Sequence, residues 1–172
     1  MTLRTDDGRF GAVISPAIID RLLQLCREAG TVETGGILVG RYTPKHDTAI
    51  VTDASGPPPD SNRQSRVFFR GIKGLQRLLN RLWFDKGEYY LGEWHFHPWA
   101  PANASGTDKD QLRKYSQDEL LQCPEPIMLI IGGDPSAEWM LKAYISPRCE
   151  EVREMEPVNE DSALGVASAG GK

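Results

Sequence analysis

The sequence predicts a mixed α/β (α+β) domain with a central mixed β-sheet flanked by helices. Two stretches carry apolar residues at helical spacing, and a third opens on a helix-start signature. Short β-branched and aromatic runs lie between them, bounded by Gly and Pro. Helices and strands do not alternate regularly, so a uniformly parallel sheet is not expected.

The first helix opens at Ser15-Pro16, where serine can cap free amides and proline is tolerated in the first turn. Ile19, Leu22, Leu23 and Cys26 share a face, and Gly30 is the stop. Ile37-Leu38-Val39 and Ala49-Ile50-Val51 read as buried strands joined by a turn around Pro44–Asp47. Residues 55–61 form a stiff proline-rich loop that cannot join a sheet interior. Val67-Phe68-Phe69 is a short strand. Leu75, Leu78, Leu79, Leu82 and Trp83 mark a second amphipathic helix.

Tyr89 through His97 reads as a strand, ended by Pro98-Trp99-Ala100-Pro101. A third helix is expected from just after Ser105 to about Leu121. Ile127–Ile131 and Trp139–Ile145 form a final strand pair around a Gly-Gly-Asp-Pro turn. The domain is therefore placed at residues 1–149. Residues 150–172, acidic and then rich in Ala, Gly and Ser, read as a poorly ordered tail or an interaction segment.

The chain has 172 residues, enough for one domain with a proper core, and a net charge of −4. That balance argues against a nucleic-acid partner, which needs basic faces. Arg63, Arg66 and Arg70 read as a small solvated basic group. There is no signal-peptide pattern and no apolar run long enough to span a bilayer. Cys26, Cys123 and Cys149 are scattered, which supports neither a disulfide framework nor a structural zinc site. A reduced, cytoplasmic protein is the plain reading.

The chemistry concentrates in four places. His95 and His97 lie two apart on a strand, so both imidazoles project to one face and can reach one ion. Taken alone, such a pair is more often two ordinary histidines than a metal site. Ser105-x-x-Asp108 follows at the start of the next helix. That pattern alone signals helix capping, but beside the histidines Asp108 can supply a third ligand. Glu33 precedes Thr34-Gly35-Gly36 and an apolar strand, and the glycines let another backbone or a substrate chain approach closely. Glu93 shares the histidines' face, either as a further ligand or as an orienting group behind an imidazole. Trp94, Phe96 and Trp99 read as packing or groove-wall residues.

Glu33, His95-x-His97, seven residues, then Ser105-x-x-Asp108 resembles the JAMM (MPN-positive, JAB-domain) metalloprotease motif. The residue between the histidines, usually Ser or Thr in that family, is Phe96 here. The resemblance implies a JAB/MPN-like fold and one zinc ion held by His95, His97 and Asp108. It also implies Glu33 as general base toward the zinc-bound water and Ser105 as hydrogen-bond donor to the developing oxyanion. The reaction implied is isopeptide or peptide hydrolysis after the C-terminus of a ubiquitin-like protein. The extended tail of such a substrate pairs with a strand edge, for which Gly35-Gly36 and the loop 98–104 are the candidates.

Three segments, Glu33–Tyr42, Phe69–Gln76 and Tyr89–Pro98, are similar more narrowly to bacterial JAB proteins of CBASS antiphage operons. This implies a substrate in which the C-terminus of a cyclic-nucleotide synthase is joined to its target, and an operon partner with ubiquitin-activating and conjugating-like activity. A peptidase for another ubiquitin-like or sulfur-carrier protein, and a metal-free MPN scaffold, are the alternatives. A cupin-like site is rejected because no histidine follows His97, and a zincin because His-Glu-x-x-His is absent.

Overall fold

The computed structural model describes residues 1–64 and 68–158. Eight strands form one mixed sheet whose two edges meet, with spatial order β1-β10-β9-β8-β7-β3-β4-β2. These are β1 (Thr2–Arg4), β2 (Gly11–Ile14), β3 (Thr34–Tyr42), β4 (Thr48–Ala54), β7 (Tyr89–Pro98), β8 (Ile127–Gly133), β9 (Trp139–Ile145) and β10 (Arg153–Pro157). A small hairpin, β5 (Asn62–Arg63) with β6 (Phe68–Phe69), forms a separate two-stranded sheet. The helices are α1 (Pro16–Ala29), α2 (Leu75–Lys86) and α3 (Gly106–Gln117). The mixed sheet is borne out: β2–β4 and β7–β8 are parallel and the other pairings antiparallel. Its closure into a barrel was not expected.

Helix α1 begins and ends where its residues dictate. The Ser15 hydroxyl accepts from the Ile18 amide at 3.3 Å, and Gly30 leaves the helix at φ +66°. Ile18, Leu22, Leu23 and Cys26 are buried in one core with Leu38, Trp94, Phe96, Leu129 and Ile131. Ile19, expected on that face, only borders it. Ser15→Ala should cost about 1 kcal/mol of stability, read as a lower urea midpoint at unchanged slope. The opposite face of the sheet carries α2 against Ile37, Val39 and Tyr90, and α3 against Met128, Ile130 and Tyr144.

Helix α3 stops at Gln117 rather than near Leu121. The Asp118 carboxylate accepts from the Leu120 amide, and this local bond competes with a further helical turn. Strands β1 and β2 were not expected, because each is too short to show a periodic pattern. The placement of 150–172 in a tail also needs correction. Arg153–Pro157 pairs with β9 on one side and β1 on the other, and Met155 is buried in the core. The acidic residues of that stretch are the solvated side of a strand: Glu154 is exposed and pairs with Lys142 at 2.7 Å. Ser162–Lys172, like Arg66 and Val67, lie outside the described residues.

One irregularity decides which way the functional strand faces. Leu38 pairs with Gly92 but Val39 with Tyr90, so Leu91 is an extra residue bulged out of the ladder. The bulge puts Tyr90 and Glu93 on one face, where the Tyr90 hydroxyl approaches Glu93 at 3.4 Å. Gly92 sits at φ +148°, and a Cβ there would lie 1.8 Å from the Ile127 carbonyl oxygen. Only glycine fits. Beyond the bulge, Glu93, His95 and His97 turn away from the α1 core while Trp94 and Phe96 fill it.

Candidate metal centre

Four segments of the chain meet at the C-terminal end of β7. His95 lies opposite Gly35 of β3 on one side and Ile130 of β8 on the other. Asp108 arrives on the first turn of α3, and Glu33 stands immediately before β3, its amide donating to the Gln64 carbonyl at 2.9 Å. A cavity of about 220 Å³ is lined by Glu33, His95, His97, Ser105 and Asp108, together with Phe68, Phe69 and Thr107. All five residues singled out from the sequence therefore share one space. One donor atom each from His95, His97 and Asp108 lies within 4.8 Å of the others, and each residue is half-buried. Two imidazole nitrogens and a carboxylate oxygen this close suit a divalent ion such as zinc, with a ligand position left over.

The Ser105-x-x-Asp108 pattern serves both of its readings at once. Asp108 Oδ2 accepts from the Ser105 amide at 2.7 Å and from its hydroxyl at 2.6 Å, and Ser105 Oγ accepts from the Asp108 amide at 3.2 Å. That is a complete capping box. The other carboxylate oxygen, Oδ1, stands 3.3 Å from His95 Nδ1. The cap thus aims the carboxylate at the imidazole.

His95 is gripped from both sides. Glu93 Oε2 stands 3.8 Å from Nε2, and the edge of Phe68 meets the imidazole ring at 5.6 Å between centroids. Glu93 itself is 1% exposed and held by Arg70, whose guanidinium meets Oε1 at 2.7 Å. Arg70 therefore leaves the solvated basic group in which its sequence neighbours placed it. A buried carboxylate needs a partner, and Arg70 answers that need. Glu93, whose role was open, lies behind the His95 ring and outside the His95–His97–Asp108 grouping. No motif marks Phe68, Phe69 or Thr107 as lining residues.

Gly35 and Gly36 do admit a close approach, but by the protein's own atoms. A Cβ at Gly35 would lie 2.3 Å from the Trp94 carbonyl oxygen and 2.7 Å from the Phe68 ring, and one at Gly36 would lie 2.3 Å from the Ser55 carbonyl oxygen. The space a side chain would take at either glycine is filled by the protein itself. Loop 98–104 keeps an open flank, with Trp99 at 68% exposure.

Burial disfavours the His95 cation, but Asp108 and Glu93 together outweigh it and raise the imidazole pKa from 6.5 to about 9. Burial likewise pushes the Asp108 carboxyl up, yet hydrogen bonds from His95 and Ser105 bring it down to about 2. Glu33 is raised above the usual glutamate range, by burial first and by Asp108, against the pull of His97 and His95. In chelated protein the His95 contribution to stability is full below pH 6.5 and disappears as pH rises to about 9. The Asp108 contribution is full above 3.8 and disappears as pH falls toward 2. Urea midpoints of chelated protein should therefore decline from pH 6.5 to 9, and His95→Gln should flatten that slope. An equal slope in the variant would place its origin elsewhere.

Among the described residues, no helix is long and apolar enough to cross a membrane. Two curated relatives are named "CD-NTase/cGAS isopeptidase". The one from Enterobacter hormaechei subsp. hoffmannii (strain UCI 50) is 39% identical over 148 residues, covering 86% of this chain and 82% of the relative. The one from Vibrio cholerae serotype O1 is 32% identical over 130 residues, covering 74% and 80%. A protein of Desulfitobacterium hafniense solved in solution shares the fold, with a TM-score of 0.59 at 22% identity over 84% of this chain and 90% of that one. Residues 15–142 match the Prok-JAB family, described as prokaryotic homologs of the JAB domain. The resemblance carried by Glu33, the histidine pair and Ser105-x-x-Asp108 is thereby borne out, and the chain belongs to the Prok-JAB family.

Proposed function

We propose that this chain is a zinc-dependent isopeptidase that hydrolyses the bond joining the C-terminus of a CD-NTase, a cyclic-nucleotide synthase, to its conjugation target. The convergence of Glu33, His95, His97 and Asp108 on one cavity carries the reading. The names of the two relatives supply the substrate. The enzyme acts in the cytoplasm, opposing a ubiquitin-activating and conjugating-like partner in antiphage defence.

His95, His97 and Asp108 are the residues that would hold zinc. When bound, zinc supplies Lewis acidity, making water acidic near neutral pH and polarising a carbonyl. Glu33 lies outside that set but in the same cavity, and its raised carboxyl suits a base that takes a proton from water and returns it to the leaving lysine amine. Ser105 donates to the developing oxyanion by turning its hydroxyl away from Asp108 Oδ2. Glu93, fixed by Arg70, holds the His95 ring so that the metal meets a prepared nitrogen.

The test uses a purified CD-NTase joined through its C-terminus to a lysine of a second protein. Zinc-loaded chain should release both proteins intact, chelation should stop release, and added zinc should restore it. Metal analysis should find about one zinc ion per chain. A conjugate left untouched by the zinc-loaded chain overturns the substrate, and full activity after chelation overturns the metal.

A further inference from the structure

At the end of β7 the chain turns through His97-Pro98-Trp99-Ala100, and the Ala100 amide donates to the His97 carbonyl at 3.3 Å. Proline in the second place suits such a turn. The third place is left-handed, at φ +60°, where glycine or asparagine is the unstrained choice. This chain has tryptophan there. The surroundings impose the conformation. The Trp99 amide donates to the Gly133 carbonyl at 3.1 Å, and the following residues lie on Gly132, where a Cβ would stand 2.4 Å from the Ala100 carbonyl oxygen.

The strain is not repaid inside the molecule. The Trp99 side chain is largely in solvent, and among the described residues no aromatic ring or guanidinium stacks on it. A strained, bulky residue without internal packing points to a contact made with something outside the chain. Its place says what that is. His97 lines the cavity shared with Glu33 and Asp108, and Trp99 follows two residues on, so their Cα atoms are at most about 7 Å apart. Whatever extends from a bond held in that cavity comes within reach of the indole.

An isopeptide substrate brings one apolar group that does not vary with the sequence around the bond. It is the methylene stem of the lysine, which begins at the scissile nitrogen. Such stems lie along flat apolar surfaces. We propose that the Trp99 indole packs against this stem and so selects conjugates on a lysine over conjugates on an α-amine. The inference rests on the isopeptidase reading and adds recognition of the leaving group to it.

The test uses zinc-loaded full-length chain carrying Glu33→Gln, which holds a conjugate without cutting it, with and without Trp99→Gly. Two ligands are titrated by calorimetry. One is a CD-NTase joined through its C-terminus to the lysine ε-amine of capped Gly-Lys-Gly, the other the same CD-NTase joined to the α-amine of Gly-Ala-Gly. Trp99→Gly should weaken the lysine conjugate about tenfold and leave the other unchanged. Its urea midpoint should be no lower than that of its parent, because glycine relieves the left-handed position. Undiminished binding of the lysine conjugate would overturn the proposal. So would an equal loss for both ligands or a lower urea midpoint, either of which makes Trp99 a structural residue. If the chain with Trp99 intact binds neither ligand, the isopeptidase reading fails and this proposal fails with it.

Discussion

Glu33→Gln should lower the rate of conjugate cleavage about 10²–10⁴-fold, the usual share of a positioned acid–base group, with metal content and fold unchanged. Glutamine keeps the side-chain volume and leaves the Glu33 amide free to hold its bond to Gln64, so the start of β3 is not disturbed. Nothing in the His95–His97–Asp108 grouping requires the Glu33 carboxylate. The variant thus separates proton transfer from metal holding: kcat falls while zinc measured on the purified protein stays at the wild-type level. A variant that cleaves at near-normal rate would remove Glu33 from the chemistry. One that loses zinc would move it into the ligand set.

Asp108→Ala should have the largest effect on the metal, because one carboxylate does two jobs. Losing an outer partner of a ligand costs 10–100-fold in metal affinity, so losing the ligand should exceed about 100-fold. The same change removes the capping-box acceptor of α3 and should lower stability by about 1 kcal/mol. Asp108→Asn separates the two, since its amide oxygen can still accept from Ser105 while its negative charge toward His95 is gone. Zinc affinity by chelator competition should fall in both variants, and the urea midpoint should fall mainly in alanine. Ser105→Ala is the converse control, losing the cap while keeping zinc. If Asp108→Asn bound zinc like the wild type, Asp108 would be a capping residue alone.

The elements that could be read in advance carry their instructions locally. Helix α1 has its cap, its stripe and its stop within Ser15–Gly30, and β7 is an apolar run broken by functional residues. The histidine pair was legible because a period of two fixes a common face without knowledge of the fold. Strands β1 and β10 were not, since each is defined by its neighbours: Leu3 pairs with both Ala12 and Pro157. The charges of β10 read as a loose tail because a half-solvated strand with one buried residue, Met155, hardly departs from random alternation. Arg70 was misread for a related reason. Its partner Glu93 lies 23 positions away, and only the arrangement of the hairpin next to β7 joins them. The two readings of Ser105-x-x-Asp108, capping and ligation, compete in the sequence and coexist in space, because a carboxylate has two oxygens.

The meeting of β1 with β10 has a consequence for the order in which the molecule is made. A ribosome releases Thr2–Arg4 long before Arg153–Pro157, the outer neighbour of that strand, emerges. Until Arg153–Pro157 clears the exit tunnel, β9 and β1 each offer a bare row of amides and carbonyls to any passing chain. The ring is therefore sealed after most of the polypeptide has been synthesised, and a contact spanning nearly the whole described chain slows that last step. Transcripts cut short before the codon for Arg153 should yield nascent chains that clump, even though every residue around the histidines has already been translated.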